Sequence, residues 1–217
     1  MPPVFGYWNI RGLAESIRYL LHYTGAEFED KRYNFGPAPE YDRSEWLREK
    51  FTLDLDFPNL PYYIDGEVKL TQSTAIIRYL AKKHGLVVRN EHEVLIQDVV
   101  EQQAVDLRNT LIFLAYANFE ERKEKYLENL PDQLKLFSKY LDNKEWIIGN
   151  KLTYVDFILY DALDFHRLLK EDCLDAFPNL KEYLKRFESL PGVSKYMKSK
   201  NYVKWPIFGP LAAFGGK

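Results

Sequence analysis

Strand signals almost vanish beyond Gly85, where apolar residues recur at helical spacing. A chain divided in this way cannot spread one sheet over its whole length. It must build a small α+β unit first and a helical body second. In the first part, Val4 to Trp8 is a β-branched and aromatic run, and Leu13, Ile17, Leu20 and Leu21 then step as a helix. Phe28 to Tyr33 follows the turn signal Thr24-Gly25-Ala26 and reads as a second strand. A long connection, Asn34 to Asn59, holds a short helix around Ser44 to Phe51. Tyr62-Tyr63-Ile64 and Val68-Lys69-Leu70 flank Asp65-Gly66, a tight-hairpin signal. Thr71-Gln72-Ser73-Thr74 opens a helix through Ile76, Ile77, Leu80 and Ala81 that stops at His84-Gly85. The expected order over residues 1–84 is β-α-β-β-β-α.

The second expected domain, residues 91–217, is all helical. Val100, Ala104, Leu107, Leu111 and Leu114 mark one long helix from about His92 to Ala117. Leu134, Phe137, Tyr140 and Leu141 mark another, and Val155 to Leu169 a third. Before the third, Thr153 and Asp156 have the spacing of a capping box. That motif concerns the fold and carries no chemistry.

Several chemistries lack their parts. The 217 residues carry 30 basic and 32 acidic side chains, a balance that gives no field for nucleic acid or an anionic membrane. The longest apolar run, Leu111 to Ala117, is far shorter than the roughly 20 residues a bilayer span needs. The opening Met-Pro-Pro-Val-Phe-Gly has no basic segment before an apolar one, and the single cysteine, Cys173, permits no internal disulfide. A cytoplasmic protein is expected. His22, His84, His92 and His166 form no metal-ligand pair, so no metal is expected. Phosphate-loop, dinucleotide-binding and serine-hydrolase motifs are absent from the sequence. Cys173 reads as inert packing, and Lys195, Lys198, Lys200 and Lys204 as a solvated face.

Three stretches can form a site. Gln72-Ser73 stands where a strand runs into a helix, so the first-turn N–H groups and the Ser73 hydroxyl can receive a carboxylate; Ser73 can equally be a plain helix cap. Leu60-Pro61 precedes a strand, where a cis bond would turn backbone groups toward an extended peptide, although an ordinary trans turn is the commoner case. Tyr7, in the opening strand, can present a hydroxyl or fill a domain interface.

These stretches together resemble the cytosolic glutathione S-transferases, mu class. The matching residues are Gly6-Tyr7-Trp8, Ile10 to Ala14, Ala38 to Leu47, Leu55 to Tyr62, Thr71-Gln72-Ser73, Gly149-Asn150-Lys151, Thr153 to Phe157, Cys173 to Leu180 and Tyr196 to Ser199. The resemblance implies a thioredoxin-like N-terminal domain that binds glutathione, an all-α C-terminal domain that lines a site for hydrophobic electrophiles, and a homodimer. Glutathione is then a co-substrate, and no further cofactor is implied.

Carried over by position, the resemblance makes Tyr7 the catalytic hydroxyl. Trp8, Arg43, Trp46 and Lys50 would hold the glycine end of glutathione, Asn59 and Leu60 its cysteinyl backbone, and Gln72 and Ser73 its γ-glutamyl carboxylate, with Leu13 and Pro61 also among the glutathione-binding residues. Asp106 would serve the neighbouring subunit's site. Tyr116 would donate to the electrophile or leaving group, though the segment after it is one residue shorter than the mu pattern. Ile10, Leu13, Val105, Ile112, Phe208 and Gly209 would shape the electrophile pocket, Gly209 in place of the polar side chains common there. Phe57 would be a knob inserted between two helices of the partner, with Arg78 near the two-fold axis.

The chemistry asked of Tyr7 has its own rationale. A free thiol has a pKa of about 8.5, so a hydroxyl donating to the sulfur favours the thiolate. A drop of about two units corresponds to roughly 2.7 kcal/mol. A non-catalytic ligandin or lens-crystallin-like protein on the same scaffold is the alternative function. Thioredoxin-type disulfide exchange is excluded, because Trp8 to Leu13 contains no cysteine.

Overall fold

The computed structural model describes residues 2–216. Its first part is β1 (Val4–Trp8), α1 (Glu15–Thr24), β2 (Glu29–Tyr33), α2 (Ser44–Leu47), β3 (Tyr62–Asp65), β4 (Val68–Thr71) and α3 (Ser73–Lys83). The strands form one sheet in the order β2-β1-β3-β4, with β2 parallel to β1 and both other pairings antiparallel. The β3–β4 turn is Gly66-Glu67, with Asp65 the last paired residue and Gly66 at φ +60°. This is the hairpin expected from Asp65-Gly66, displaced by one residue.

Two boundaries differ from the sequence expectation for stated reasons. Helix α1 begins at Glu15 rather than Leu13, because Gly12 takes φ +46° and the Leu13 N–H is given to a side chain instead of a helical turn. Helix α2 ends at Leu47 and the chain continues to Phe51 in turns.

Helices α4 (Glu91–Tyr116), α5 (Phe119–Leu141), α6 (Tyr154–Leu169), α7 (Pro178–Glu188) and α8 (Pro191–Met197) make up the second part. Helix α5 starts well before Leu134; its charged segment from Glu120 to Lys125 hides a face on which Phe119 and Leu130 are buried with Leu134, Phe137 and Leu141. The capping box forms: the Thr153 N–H donates to Asp156 Oδ2 at 2.8 Å. Asp156 also accepts from the Ile147 N–H at 2.9 Å and the Tyr183 hydroxyl at 3.1 Å. Four donors thus converge on one carboxylate when the Thr153 hydroxyl is included. Helix α6 is buried along almost its whole length and packs against α4 and α1, so it forms the spine between the two parts.

Two ties across that spine position the site. Arg11, fully buried, donates to Asp161 at 2.8 Å and to Asp164 at 2.7 Å on α6. The C-terminal segment returns to the same loop, where Arg11 N–H donates to the Pro206 carbonyl at 3.0 Å and Gly12 N–H to the Ile207 carbonyl at 2.8 Å. The residues between β1 and α1 are therefore clamped from both sides.

Candidate active site

The strand register assembles the three candidate stretches. Gly6 lies opposite Tyr62, and Tyr62 opposite Thr71. One residue beyond that row, Tyr7 is the first β1 residue past the pairing with β3, Pro61 leads into β3 and Gln72 leaves β4, so all three lie at the same end of the sheet. Gly6 has to be glycine here, since a Cβ would stand 2.2 Å from the Tyr62 ring.

Tyr7 is 7% exposed, and its hydroxyl oxygen accepts the Leu13 N–H at 3.2 Å. Burial pushes its pKa above the ordinary value of 10.0, while the Leu13 bond and the charges of Arg108 and Arg18 pull it down; burial prevails. The phenol therefore keeps its proton at neutral pH. Its oxygen is occupied by an incoming N–H, so that proton is available to donate. Gly12 lies directly beneath, where a Cβ would come within 2.6 Å of the Tyr7 oxygen.

At the neighbouring position, Gln72 precedes α3 with φ 71° and ψ 112°, outside the ordinary range of a side-chain-bearing residue. Such backbone costs on the order of 1–3 kcal/mol and is kept where its surroundings hold it. No side chain caps the first turn of α3. Ser73 is the first helical residue rather than the cap, and the Gln72 side chain makes no capping hydrogen bond to the first-turn N–H groups. The Leu60–Pro61 bond is cis, so the trans alternative falls away. Asn59 Oδ1 accepts the Leu60 N–H at 2.9 Å.

The remaining residues fall into two groups. Trp46 is buried, stacked on Tyr62 at 6.0 Å and edge-on to Tyr33 at 5.3 Å, while Trp8 stacks on Phe35 at 4.2 Å. Arg43 is exposed, and the Lys50 ammonium lies 5.2 Å from the Phe51 ring. Tyr116, half exposed at the end of α4, accepts the Gly209 N–H at 2.7 Å and lines a cleft of about 240 Å³ with Gly209, Arg43 and Phe35. An adjoining cleft of about 250 Å³ takes in Ile10 and Phe208. Leu13, Val105 and Ile112, each partly buried, line neither. Phe35 and Tyr41 line both clefts and were not expected from the sequence, where they lie in the irregular connection after β2.

Asp106 is exposed and lines a separate cleft beside Asn109 and Thr110. Phe57 is 78% exposed, and between α4 and α5 lies an apolar groove of about 480 Å³ lined by Val99, Val100, Leu136, Phe137 and Tyr140. Arg78 forks onto Glu101 at 2.5 and 2.7 Å.

Residues 3–82 match the glutathione S-transferase N-terminal domain and residues 105–200 its C-terminal domain. Glutathione S-transferase B of Cavia porcellus is 54% identical over 217 residues, covering all of both chains. The chain belongs to the glutathione S-transferase family, mu class. Glutathione S-transferase Mu 2 of Mus musculus is likewise 54% identical across the full length of both chains. Among solved structures, the glutathione S-transferase Blo t 8 superposes with a TM-score of 0.91 at 37% identity, covering 98% of this chain and 99% of that one. As a glutathione S-transferase, the protein has the thioredoxin-like N-terminal domain and helical C-terminal domain expected for its class.

Besides Phe35 and Tyr41, a buried residue of α4 was not expected from the sequence of this transferase. Val105, Arg108, Ile112 and Tyr116 recur at intervals of three, four and four along α4 and so share a face. Arg108 is only 3% exposed, and its Nε finds no hydrogen-bond partner among the described residues. The spacing was visible in the sequence; a basic residue on such a face reads ordinarily as solvated. Among the described residues no cluster of His, Cys, Asp and Glu is arranged to hold a metal ion, and no helix is long and apolar enough to cross a membrane.

Proposed function

We propose that this transferase uses the Tyr7 hydroxyl to hold glutathione as its thiolate and adds that sulfur to hydrophobic electrophiles. The observation that carries the reading is the Leu13 N–H bond to the Tyr7 oxygen, which leaves the phenolic proton free in a group that burial keeps protonated. Donation of that proton to a sulfur favours the anion over the thiol. The thiol proton leaves to solvent, the sulfur lone pair forms a bond to the electrophilic carbon, and the electrons displaced go to a leaving group, a ring-opened alkoxide or an enolate. Tyr116, whose oxygen likewise accepts a backbone N–H, donates to that developing charge.

The γ-glutamyl carboxylate is assigned to the uncapped first turn of α3 at Gln72 and Ser73, the cysteinyl backbone to Asn59, Leu60 and Pro61, and the glycine end to Trp8, Arg43, Trp46 and Lys50. Glutathione serves as co-substrate, without a metal or further cofactor. The protein is cytoplasmic and acts as a homodimer: Phe57, exposed in one chain, fits the apolar groove between α4 and α5 of a second copy, and Asp106 of each chain completes the other's site.

The test is conjugation of a chloronitrobenzene acceptor by the parent and by Tyr7→Phe. The reading expects the variant to fold and bind glutathione but to lose most of its rate at neutral pH. An equal rate removes Tyr7 from the chemistry. A parent that binds glutathione without conjugating any electrophile supports instead the ligandin or crystallin-like alternative.

A further inference from the structure

We propose that Glu49, acting through Tyr33, is a positioning residue that fastens the α2 segment to the sheet and so sets how tightly the transferase holds the glycine end of glutathione. The inference rests on the assignment of that end to Trp8, Trp46 and Lys50.

The segment that carries Trp46 and Lys50 has little structure of its own. Helix α2 is a single turn, the chain beyond it runs in turns, and Leu47 and Phe51 stand exposed. A helix far shorter than about a dozen residues does not persist in water by its own bonds. Its place must come from ties to the sheet, and two carboxylates four residues apart supply them. Glu45 accepts the Asn34 N–H at 2.6 Å. Glu49 accepts from the Tyr33 hydroxyl at 3.0 Å and from the Lys31 ammonium, both on β2. The adjacent residues Tyr33 and Asn34 thus fasten both ends of one turn of chain.

Of the two partners of Glu49, Tyr33 matters more. The side chains of the Lys31–Glu49 ion pair are each about a third exposed, where such a pair contributes little. Tyr33 is buried, so an acceptor lost there is poorly replaced by water. The Lys31 bond holds the Glu49 carboxyl below its usual range, which keeps it ionised and able only to accept. Tyr33 therefore gives its proton to Glu49 and receives that of Tyr62, whose oxygen lies 2.9 Å away.

The rings of this relay support the glycine-end residues. Trp46 is edge-on to Tyr33 and stacked on Tyr62, and Trp8, opposite Tyr33 in the β1–β2 register, meets the Tyr33 ring edge-on at 6.4 Å. The Glu49 and Lys50 N–H groups both donate to the Trp46 carbonyl, at 3.0 and 2.9 Å. Glu49 thus joins the backbone that carries Trp46 and Lys50 to the phenol that both tryptophans touch. Releasing it loosens that backbone, while Tyr7 on β1 and Ser73 on α3 keep their own supports.

The experiment compares glutathione with γ-glutamylcysteine, which lacks the glycine, as thiol substrates at a saturating chloronitrobenzene acceptor. Glu49→Ala and Tyr33→Phe are each expected to raise KM for glutathione by about tenfold with kcat unchanged, and to leave KM for γ-glutamylcysteine in place. The double variant should be no worse than either single one. Glu49→Gln, whose amide oxygen still accepts from Tyr33, should restore KM to near the parental value. A merely structural role would weaken both thiols alike and lower kcat with them. The proposal is overturned if Glu49→Ala leaves the glutathione KM in place, or raises KM for the two thiols by the same factor. Should Glu49→Ala not fold, Tyr33→Phe decides by the same criteria. Lys50→Ala, measured alongside, separates the two ideas. If it too acts equally on both thiols, the glycine-end assignment falls and this inference with it; if it acts on glutathione alone and Glu49→Ala does not, only the role of Glu49 falls.

Discussion

The Gly209 N–H donates a 2.7 Å hydrogen bond to the hydroxyl oxygen of Tyr116, across 93 residues of sequence. Leu13 N–H does the same for Tyr7 at 3.2 Å. Both phenols at the site are therefore held by an N–H on their oxygen, an arrangement that fixes the ring while directing the O–H elsewhere. Each is also kept protonated by burial, which raises its pKa above 10.0. Two hydroxyls prepared in the same way can serve the two ends of one addition, the sulfur and the group that receives the displaced electrons.

Tyr116→Phe removes the second donor and leaves the Gly209 N–H without its acceptor. Turnover of epoxides, whose oxygen must take a proton, is expected to fall by about a hundredfold, with the affinity for glutathione unchanged. Steady-state kinetics with an epoxide and glutathione titration of the free enzyme give the two readings; a parallel loss in both would assign Tyr116 to architecture.

Gly12→Ala places a Cβ 2.6 Å from the Tyr7 oxygen at a residue with φ +46°. Neither the clamped loop nor the phenol can move without breaking the Leu13 bond. A loss of roughly 1–3 kcal/mol in stability is expected, together with a rise in the thiolate pKa of bound glutathione. Chemical denaturation and the thiolate titration check both parts, and a variant with normal titration would show that the loop can yield.

Phe57→Ser addresses the dimer. Burying one phenylalanine contributes on the order of 1.5–3 kcal/mol, and a two-fold axis counts it twice. The dissociation constant is expected to rise by about a hundredfold or more, seen as monomer in sedimentation at low micromolar protein. A dimer unchanged in that range would mean that the groove between α4 and α5 has no part in assembly.

His166 makes stability depend on pH with a definite sign. It is fully buried; its Nδ1 donates to the Ala162 carbonyl at 2.7 Å, so Nε2 accepts from the Tyr126 hydroxyl at 2.6 Å. Burial lowers its pKa from 6.5 to about 4. Between these values the unfolded chain takes up a proton that the folded chain refuses, so stability present above pH 6.5 is lost as the pH falls toward 4. The amount is on the order of 3 kcal/mol. Asp156, raised to about 6 by burial, contributes the opposite slope over much of this range. Urea unfolding from pH 4.5 to 7 should therefore show a shallower decline with acid in His166→Gln than in the parent.

Much of the architecture was legible because it rests on local signals. The Val4–Trp8 strand, the Asp65-Gly66 hairpin, the Gly85 stop and the Thr153–Asp156 box each state their structure within a few residues. Helix α5 was foreshortened because a charged first turn masks its buried face. At the site, Tyr7, Pro61 and Gln72 were found individually, but Phe35 and Tyr41 were not, since nothing in an irregular connection announces which side chains will face a cleft. Arg108 had the right spacing and the wrong expected environment.

The sequence by itself determined the division into an α+β part and a helical part, the family, and the residue types available for chemistry, because periodicity, turn residues and motif identity are properties of neighbours along the chain. Only the tertiary structure decided which charges are stripped of water and which of those find partners. Arg11 meets Asp161 across 150 residues, whereas Arg108 on α4 is buried with no ion pair among the described residues. Coulomb energy depends on distance through space and on burial, and neither quantity is written in the order of the residues.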